Sequence, residues 1–599
     1  MTASAPCAGL RAAAAAIWLF AAAAQAQQSS APNPQTTTPD ATITFHGRTA
    51  SVGAGFAWGA ATLEFQGKSY PVRVDAFVLG GLGTGSLEGK GEIFGMTKAE
   101  DLNGNFTGFY SGVAIGRGPA RVEMRNDKGV HLVLSGEQSG LQVGLGPRGI
   151  TLTVGEAGGP PADASPRLPP TIGFGEVELG PLFLKPTLNV QVYGAQGTNP
   201  GFDGKWSFGP VDNAENYLEH SNEVGLNVRY PVGAEGEYGT LQGRVSGVYS
   251  LTTGGPDGPA CTGHHTNQGY TLENANLGWK SGDLFPKLGH NAIELSGGNQ
   301  NYQVGDGLIF WDGGQDCVGR GANWLSPRKA FQETGIARLN LKNFTFEGVH
   351  LKYNDHDPGT DTRLVGGRVE YATDSSYVEH LKIGAEYFRI YHSDNPSRDK
   401  MDGLYIYQET APLHALPDLS LKGSFVQESN SKKSGLAKTA YAWNLGPAYQ
   451  FSNLPWKPKL GYRYASFSGG DNAFDPLFAG LPDWGTWFQG ELLGEYVLSN
   501  SNLISHQVRL TLKPNDVFTI NLIYYKFLLD NRNQSFGLNA GRVPHELADE
   551  GDLIVDVALT NWWSITGTFT VAKPDDGFKE AVNGRSTWVN GYLYMNFNF

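Results

Sequence analysis

From about Pro181 to Phe599 the chain repeats one pattern: apolar and polar residues alternate in segments of roughly ten, separated by turns rich in Gly, Asn, Asp and Pro. The last segment shows it best. Val589, Gly591, Leu593, Met595, Phe597 and Phe599 fall on one face; Asn590, Tyr592, Tyr594, Asn596 and Asn598 fall on the other. No apolar run is long enough for a transmembrane helix. Period-two strands with one greasy face, sustained over so long a stretch, predict a transmembrane β-barrel. Eighteen such segments run from 184–193 to 587–599. The stretch 487–497 is also strand-like. Counting it breaks the even parity and puts the long connection 531–551 among the short turns. We therefore expect 468–503 to be one long outer loop, with the short turns 454–456, 514–516 and 561–563 at the inner end. Trp562 and Trp563 then suit an interfacial aromatic belt.

The chain before the barrel divides further. Arg11 precedes an apolar run, 12–24, followed by Ala24-Gln25-Ala26. This is the layout of a secretory signal (1–26) cleaved after Ala26. Residues 27–40 are polar and rich in Pro and Thr, a disordered leader. Residues 41–155 alternate with period two between Gly-rich turns and read as a small periplasmic all-β domain. Gly81, Gly83 and Gly85 lack a phosphate-cradling spacing, and no helix follows; they read as turn and bulge glycines. A Pro/Gly-rich linker, 156–180, leads into the barrel, 181–599. The expected fold class is all-β: an 18-stranded antiparallel transmembrane β-barrel preceded by a small periplasmic all-β domain.

Composition narrows the function. With 81 Gly in 599 residues the chain is no helical solenoid, and 12% aromatics argue against disorder. The net charge of −13 argues against nucleic acid as a partner. An eighteen-stranded cylinder encloses an aqueous lumen, so the alternation also predicts its lining. Lys185, Arg229, Arg244, Lys280, Arg338, Lys352, Arg368, Lys382, Lys422, Lys459, Arg463, Arg509 and Lys513 are expected to point inward, against the acids Glu223, Glu294, Glu370, Glu386 and Asp556. That excess predicts an electropositive pore that attracts anions. Eight of the cations open outward-going strands or close inward-going ones, which would place a basic vestibule at the periplasmic mouth; lysines that snorkel to the interface would show the same positions.

Other residues carry weaker chemistry. Cys7 leaves with the signal. Cys261 and Cys317 form an even pair in outer loops of an oxidising compartment and are expected to be disulfide-bonded. His264 and His265 lack a second ligand pair at a zinc spacing. Asp306, Asp312 and Asp316 lack the spacing of a calcium loop and read as solvated acids. No metal or cofactor is expected. Ser505 and His506 are adjacent in a strand, so they point to opposite faces and cannot act as a nucleophile–base pair. No catalytic residue is assigned, and the chain is read as a non-enzyme.

The segments 299–307 (NQNYQVGDG), 462–471 (YRYASFSGGD), 474–478 (FDPLF) and 483–487 (DWGTW) resemble the alginate export family of outer-membrane porins. The chain's terminal Phe599 resembles the assembly signal of bacterial outer-membrane barrels. The first likeness covers about 180–599 and implies an eighteen-stranded pore that passes an anionic polyuronate along Arg and Lys side chains, with Arg463 the best single lining candidate. The leading domain is only weakly similar to small periplasmic β domains. The reading is thus an outer-membrane porin or export channel for an anionic solute. Its expected partners are that solute, outer-membrane lipid and lipopolysaccharide, and the barrel assembly machinery. The alternatives are a plugged barrel that displays 306–330 and 468–503 as an adhesin or receptor, and a barrel hydrolase, for which no Ser/His arrangement is found.

Overall fold

The computed structural model describes residues 38–159, 175–206, 214–233, 236–254, 266–314, 319–322, 324–325, 329–354, 361–373, 378–413, 416–430, 438–482, 484–485, 489–533 and 542–599. The signal, most of the leader, the middle of the linker, His264, His265, Asp316 and the Cys261–Cys317 pair lie outside these residues.

Two compact units divide the chain. The leading unit is a four-stranded antiparallel sheet of β1 (Ala41–Phe65), β2 (Lys68–Phe94), β3 (Gly104–Arg125) and β4 (His131–Val154), in the order β1-β2-β4-β3. Its strands are far longer than usual, and they cannot be straight. Gly104 pairs with Leu152 and Phe94 with His131. In a straight β4 those partners would stand about 70 Å apart, yet residues 95–103 reach at most about 35 Å. Each strand therefore doubles back, and the eight arms form a nearly closed two-layered sheet. One core accordingly mixes residues from both ends of the strands, among them Ile43, Leu63, Val72, Ile93, Phe106, Leu132 and Leu152. The connection that ties the ends is capped by Asp101, whose carboxylate accepts from Thr97 N–H, Thr97 Oγ1 and Lys98 N–H at 2.9, 2.8 and 3.0 Å. These three donors hold its carboxyl below the usual carboxylate range.

The second unit begins with a three-residue β5 (Val177–Leu179). Eighteen strands then follow: β6 (Leu182–Thr198), β7 (Ala214–Pro231), β8 (Thr240–Gly254), β9 (Thr266–Lys280), β10 (Ile293–Asn301), β11 (Ala330–Leu341), β12 (Phe344–Lys352), β13 (Thr362–Thr373), β14 (Val378–Ser393), β15 (Asp402–Leu413), β16 (Leu419–Asn430), β17 (Lys438–Gln450), β18 (Lys459–Phe467), β19 (Leu503–Leu512), β20 (Phe518–Leu529), β21 (Glu546–Ala558), β22 (Trp563–Pro574) and β23 (Trp588–Asn598). Each pairs antiparallel with its neighbours, and β23 closes on β6. These are the eighteen strands expected. The stretch 487–497 is not one of them; it holds a single helical turn at Leu493–Tyr496.

The outer wall carries the apolar half of the alternation. Leu277, Leu295, Phe346, Val369, Ile406, Leu445, Leu460, Val508, Leu522, Phe569 and Leu593 are all exposed. So broad an apolar surface on a closed barrel is stable only against lipid. Short turns gather at one end of the cylinder and long connections at the other. Phe599 stacks on Trp562 at 5.7 Å, and Asn598 N–H donates to Trp562 C=O at 2.8 Å. Trp562 is thereby buried instead of facing the lipid belt.

Two straps, 302–329 between β10 and β11 and 468–502 between β18 and β19, leave the long-connection end and fold back into the cylinder. Their Val304, Leu308, Ile309, Phe310, Phe474, Phe478, Leu481, Trp484 and Leu492 share one core with inward side chains of the wall. Phe310 lies 5.2 Å from Phe388 of β14 and 6.0 Å from Phe478 of the other strap. The straps meet where Gly480 N–H donates to Gly307 C=O at 3.0 Å. Gly307 has φ +78°, and a Cβ there would sit 2.2 Å from Gly480 O, so only glycine permits the crossing. These segments are therefore lumen fillings rather than an exposed adhesive face.

Candidate functional site: the strapped lumen

The straps are fastened to the wall by polar contacts as well as by packing. Asp306 of the first strap accepts from Tyr405 Oη (2.6 Å), Ser424 Oγ (2.8 Å) and Asn444 Nδ2 (2.9 Å) on β15, β16 and β17. Tyr302 Oη donates to Glu347 and Glu386, both at 3.0 Å. Asp306, half-buried, is thus a clamped residue and not a solvated loop acid, and Asp312 is buried. On the second strap, Trp484 C=O accepts from Gln507 and Tyr525. Asp475 forms a two-point ion pair with Arg398 of the β14–β15 connection, at 2.7 and 2.8 Å.

Towards the short turns the interior changes character. The inward side chains of Arg244, Arg338, Lys382 and Lys422 remain about one-third exposed (32, 33, 34 and 34%), so water lines this part of the barrel. Most of the expected lining residues gather here. Arg244 pairs with Glu223 at 2.7 Å, Lys382 with Glu370 at 3.6 Å and Lys422 with Glu409 at 3.1 Å. Arg338 meets Glu347 and, at 3.6 Å, Glu294. Arg368 bridges Glu347 (2.9 Å) and Glu370 (3.1 Å) near mid-wall. Arg229 lies 4.0 Å over the Phe183 ring, and Arg463 lies 4.5 Å over Trp484 of the second strap. Arg509 donates to Asn521 Oδ1 through Nε (3.1 Å) and Nη2 (3.0 Å). Lys459 pairs in register with Thr511, and Lys513 stands just past the end of β19, where its N–H donates to Trp456 C=O.

Two expectations require correction. Lys352 sits on the outer face: its register partner is Glu333, while Val349 and Leu351 of the same strand are buried inside. The inner wall also holds more acid than expected. Glu219, Glu273, Glu347, Glu409, Glu428, Glu550 and Asp552 join the five assigned from alternation, and all of these except Glu409 are buried. Added to the five, they offset the expected basic surplus, so charge is distributed along the axis. Most cations lie toward the short turns, while Glu219, Glu273, Glu428, Glu550 and Asp552 lie near the straps. Among the described residues, no three His, Cys, Asp or Glu side chains form a group that could hold a metal ion. Ser505 Oγ donates inward to Gln489, whereas His506 contacts Tyr462 and Tyr464 on the outer face, so the two point apart.

A sequence model of the alginate export family matches residues 418–590, from β16 into β23. No curated protein sequence matches the chain. Solved structures similar to it include OccK5 (OpdH) of Pseudomonas aeruginosa (12% identity, 69% of this chain and 98% of that one, TM-score 0.44). A BenF-like porin from Pseudomonas fluorescens Pf-5 has 12% identity, the same coverage and a TM-score of 0.46. OccK2 (OpdF) of Pseudomonas aeruginosa in complex with glucuronate has 13% identity, the same coverage and a TM-score of 0.44.

Proposed function

We propose that the chain is an outer-membrane channel, with its leading domain in the periplasm, that takes up an anionic solute at its short-turn mouth. The observation that carries this reading is the uneven distribution of charge along the lumen: Arg and Lys side chains, about one-third exposed and partly countered by Glu223, Glu294, Glu370 and Glu409, gather toward the inner mouth, while Glu219, Glu273, Glu428, Glu550 and Asp552 lie near the straps. Such a mouth raises the local concentration of anions and lowers that of cations. The match to the alginate export family over 418–590 supports an acidic saccharide, of the polyuronate kind, as the solute. Arg463 and Arg509 stand between the vestibule and Trp484 of the strap, where a passing carboxylate would meet them in turn. The straps favour one second reading. Their buried aromatic core suits a plugged barrel that serves as a receptor and does not conduct.

Planar-bilayer recordings decide. A channel gives stepwise conductance with a reversal potential on the anion side, and Arg463→Glu with Arg509→Glu shifts that potential toward cations. Silence favours the plug, and an unshifted potential in the double variant refutes the proposed lining.

A further inference from the structure

The second strap ends against a buried pocket of oxygen atoms. Glu550 of β21 accepts from Leu492 N–H (3.0 Å) and Leu493 N–H (2.7 Å) of the strap. The backbone approaches so closely that a Cβ at Gly490 would lie 2.6 Å from Glu550 Oε1. Asp552 is two residues along on the same inner face. Both its oxygens are buried, and neither meets a donor in hydrogen-bonding geometry. Its register partner on β22 is Thr570, whose buried hydroxyl lies beside the Asp552 carboxylate without a close hydrogen bond to it. A third carboxylate, Glu491 of the strap, accepts from Tyr592 Oη of β23 at 2.6 Å. Tyr525 of β20 faces Glu550 from the other side, with Arg463 and Arg509 as the nearby cations beyond it. All three carboxylates are at most 4% exposed.

Adjacent carboxylates in a dry site cannot all be ionised at little cost. The pocket lacks the geometry of a metal site, whereas a carboxyl shared between Glu550 and Asp552 supplies the missing donor. We propose that this pocket is a proton-operated latch: a proton held between Glu550 and Asp552 keeps the second strap against the wall, and its loss frees the strap and widens the lumen. The latched state binds one proton that the released state gives up to water. Latching is therefore complete at low pH and is lost as pH rises, and the released-to-latched ratio grows about tenfold per pH unit while the site titrates.

The inference rests on the channel reading for its consequence, but the latch itself can be tested separately. Hydrogen exchange of 489–498 in the full-length protein, corrected for intrinsic rates, should accelerate with pH, and bilayer conductance should rise in parallel. Asp552→Asn keeps a neutral partner in place and should hold the strap, and the low conductance, across the same range; Glu550→Gln, whose single amide oxygen can accept from only one of the two strap amides, should lose the pH response and leave the strap loosened at every pH. Flat exchange with pH, or an unchanged pH response in both variants, overturns the latch. So does a response abolished by EDTA, which would assign the pocket to a metal. Exchange that responds to pH in a barrel that never conducts supports the latch and counts against the channel.

Discussion

Replacing Asp306 with alanine removes the acceptor that fixes the first strap. Tyr405 Oη, Ser424 Oγ and Asn444 Nδ2 would each lose a hydrogen bond of 2.6–2.9 Å to a carboxylate. An orphaned buried donor costs about 1–3 kcal/mol. Asn444 and Ser424 also bond to each other, so the total falls toward the lower end, about 3 kcal/mol. That energy acts on the strap, because the wall strands keep their full ladders. The population with the strap detached then rises about a hundredfold. Hydrogen exchange at 304–310 should accelerate by that factor while the amides of β12–β17 stay protected. Asp306→Asn keeps one acceptor oxygen and should recover part of the effect. An acceleration below about threefold in Asp306→Ala, or one spread evenly over the barrel, would refute the assignment of Asp306 as the clamp.

Other expectations follow from the same contacts. Arg368→Met leaves buried Glu347 with Arg338 alone and Glu370 with Lys382 alone, and should lower barrel stability by about 1–3 kcal/mol, measured by thermal unfolding in detergent; Arg368→Lys should rescue little because it cannot bridge both carboxylates. Trp484→Ala removes the ring under Arg463 and part of the strap core, and single-channel conductance should increase. In the leading domain, Asp101 contributes stability that is fully present above the ordinary aspartate range and is lost as pH falls through its depressed value. Asp101→Asn should remove that acid-limb dependence from the domain's unfolding curve. Deleting Phe599 removes the stack on Trp562 and should lower the yield of folded barrel, seen as loss of the heat-modifiable band in gel electrophoresis.

The wall was legible in the sequence because one physical rule governs it. Lipid outside and water inside impose period two, and parity then fixed the strand count and dismissed 487–497. The straps were not legible. Leu308-Ile309-Phe310 and Phe474 to Trp484 carry no periodicity, and nothing local distinguishes an apolar loop that faces solvent from one that turns inward. The same blindness explains Lys352. At the strap level the inside of β12 is apolar, with Val349 and Leu351 buried, and the outside is polar, with His350 and Lys352, so the usual polarity rule inverts. The missed acids follow suit. Glu347, Glu428 and Glu550 bind straps, and only the fold brings their partners to them. Arg244, Arg338 and Lys382, away from that level, fell where alternation put them, and so did Arg463 against the strap's Trp484.

The second strap also constrains how the cylinder can be made. Tyr592 of the final strand and Tyr217 of the second barrel strand both grip it, through Glu491 and Tyr496. The seam between the first and last strands is therefore bridged from within by a segment that precedes the last five strands in the chain. The strap thus ties the two ends of the sheet together a second time, by side chains inside the lumen as well as by the backbone ladder of the wall, so a barrel closed around an unfilled bore would lack half of the fastening at its seam.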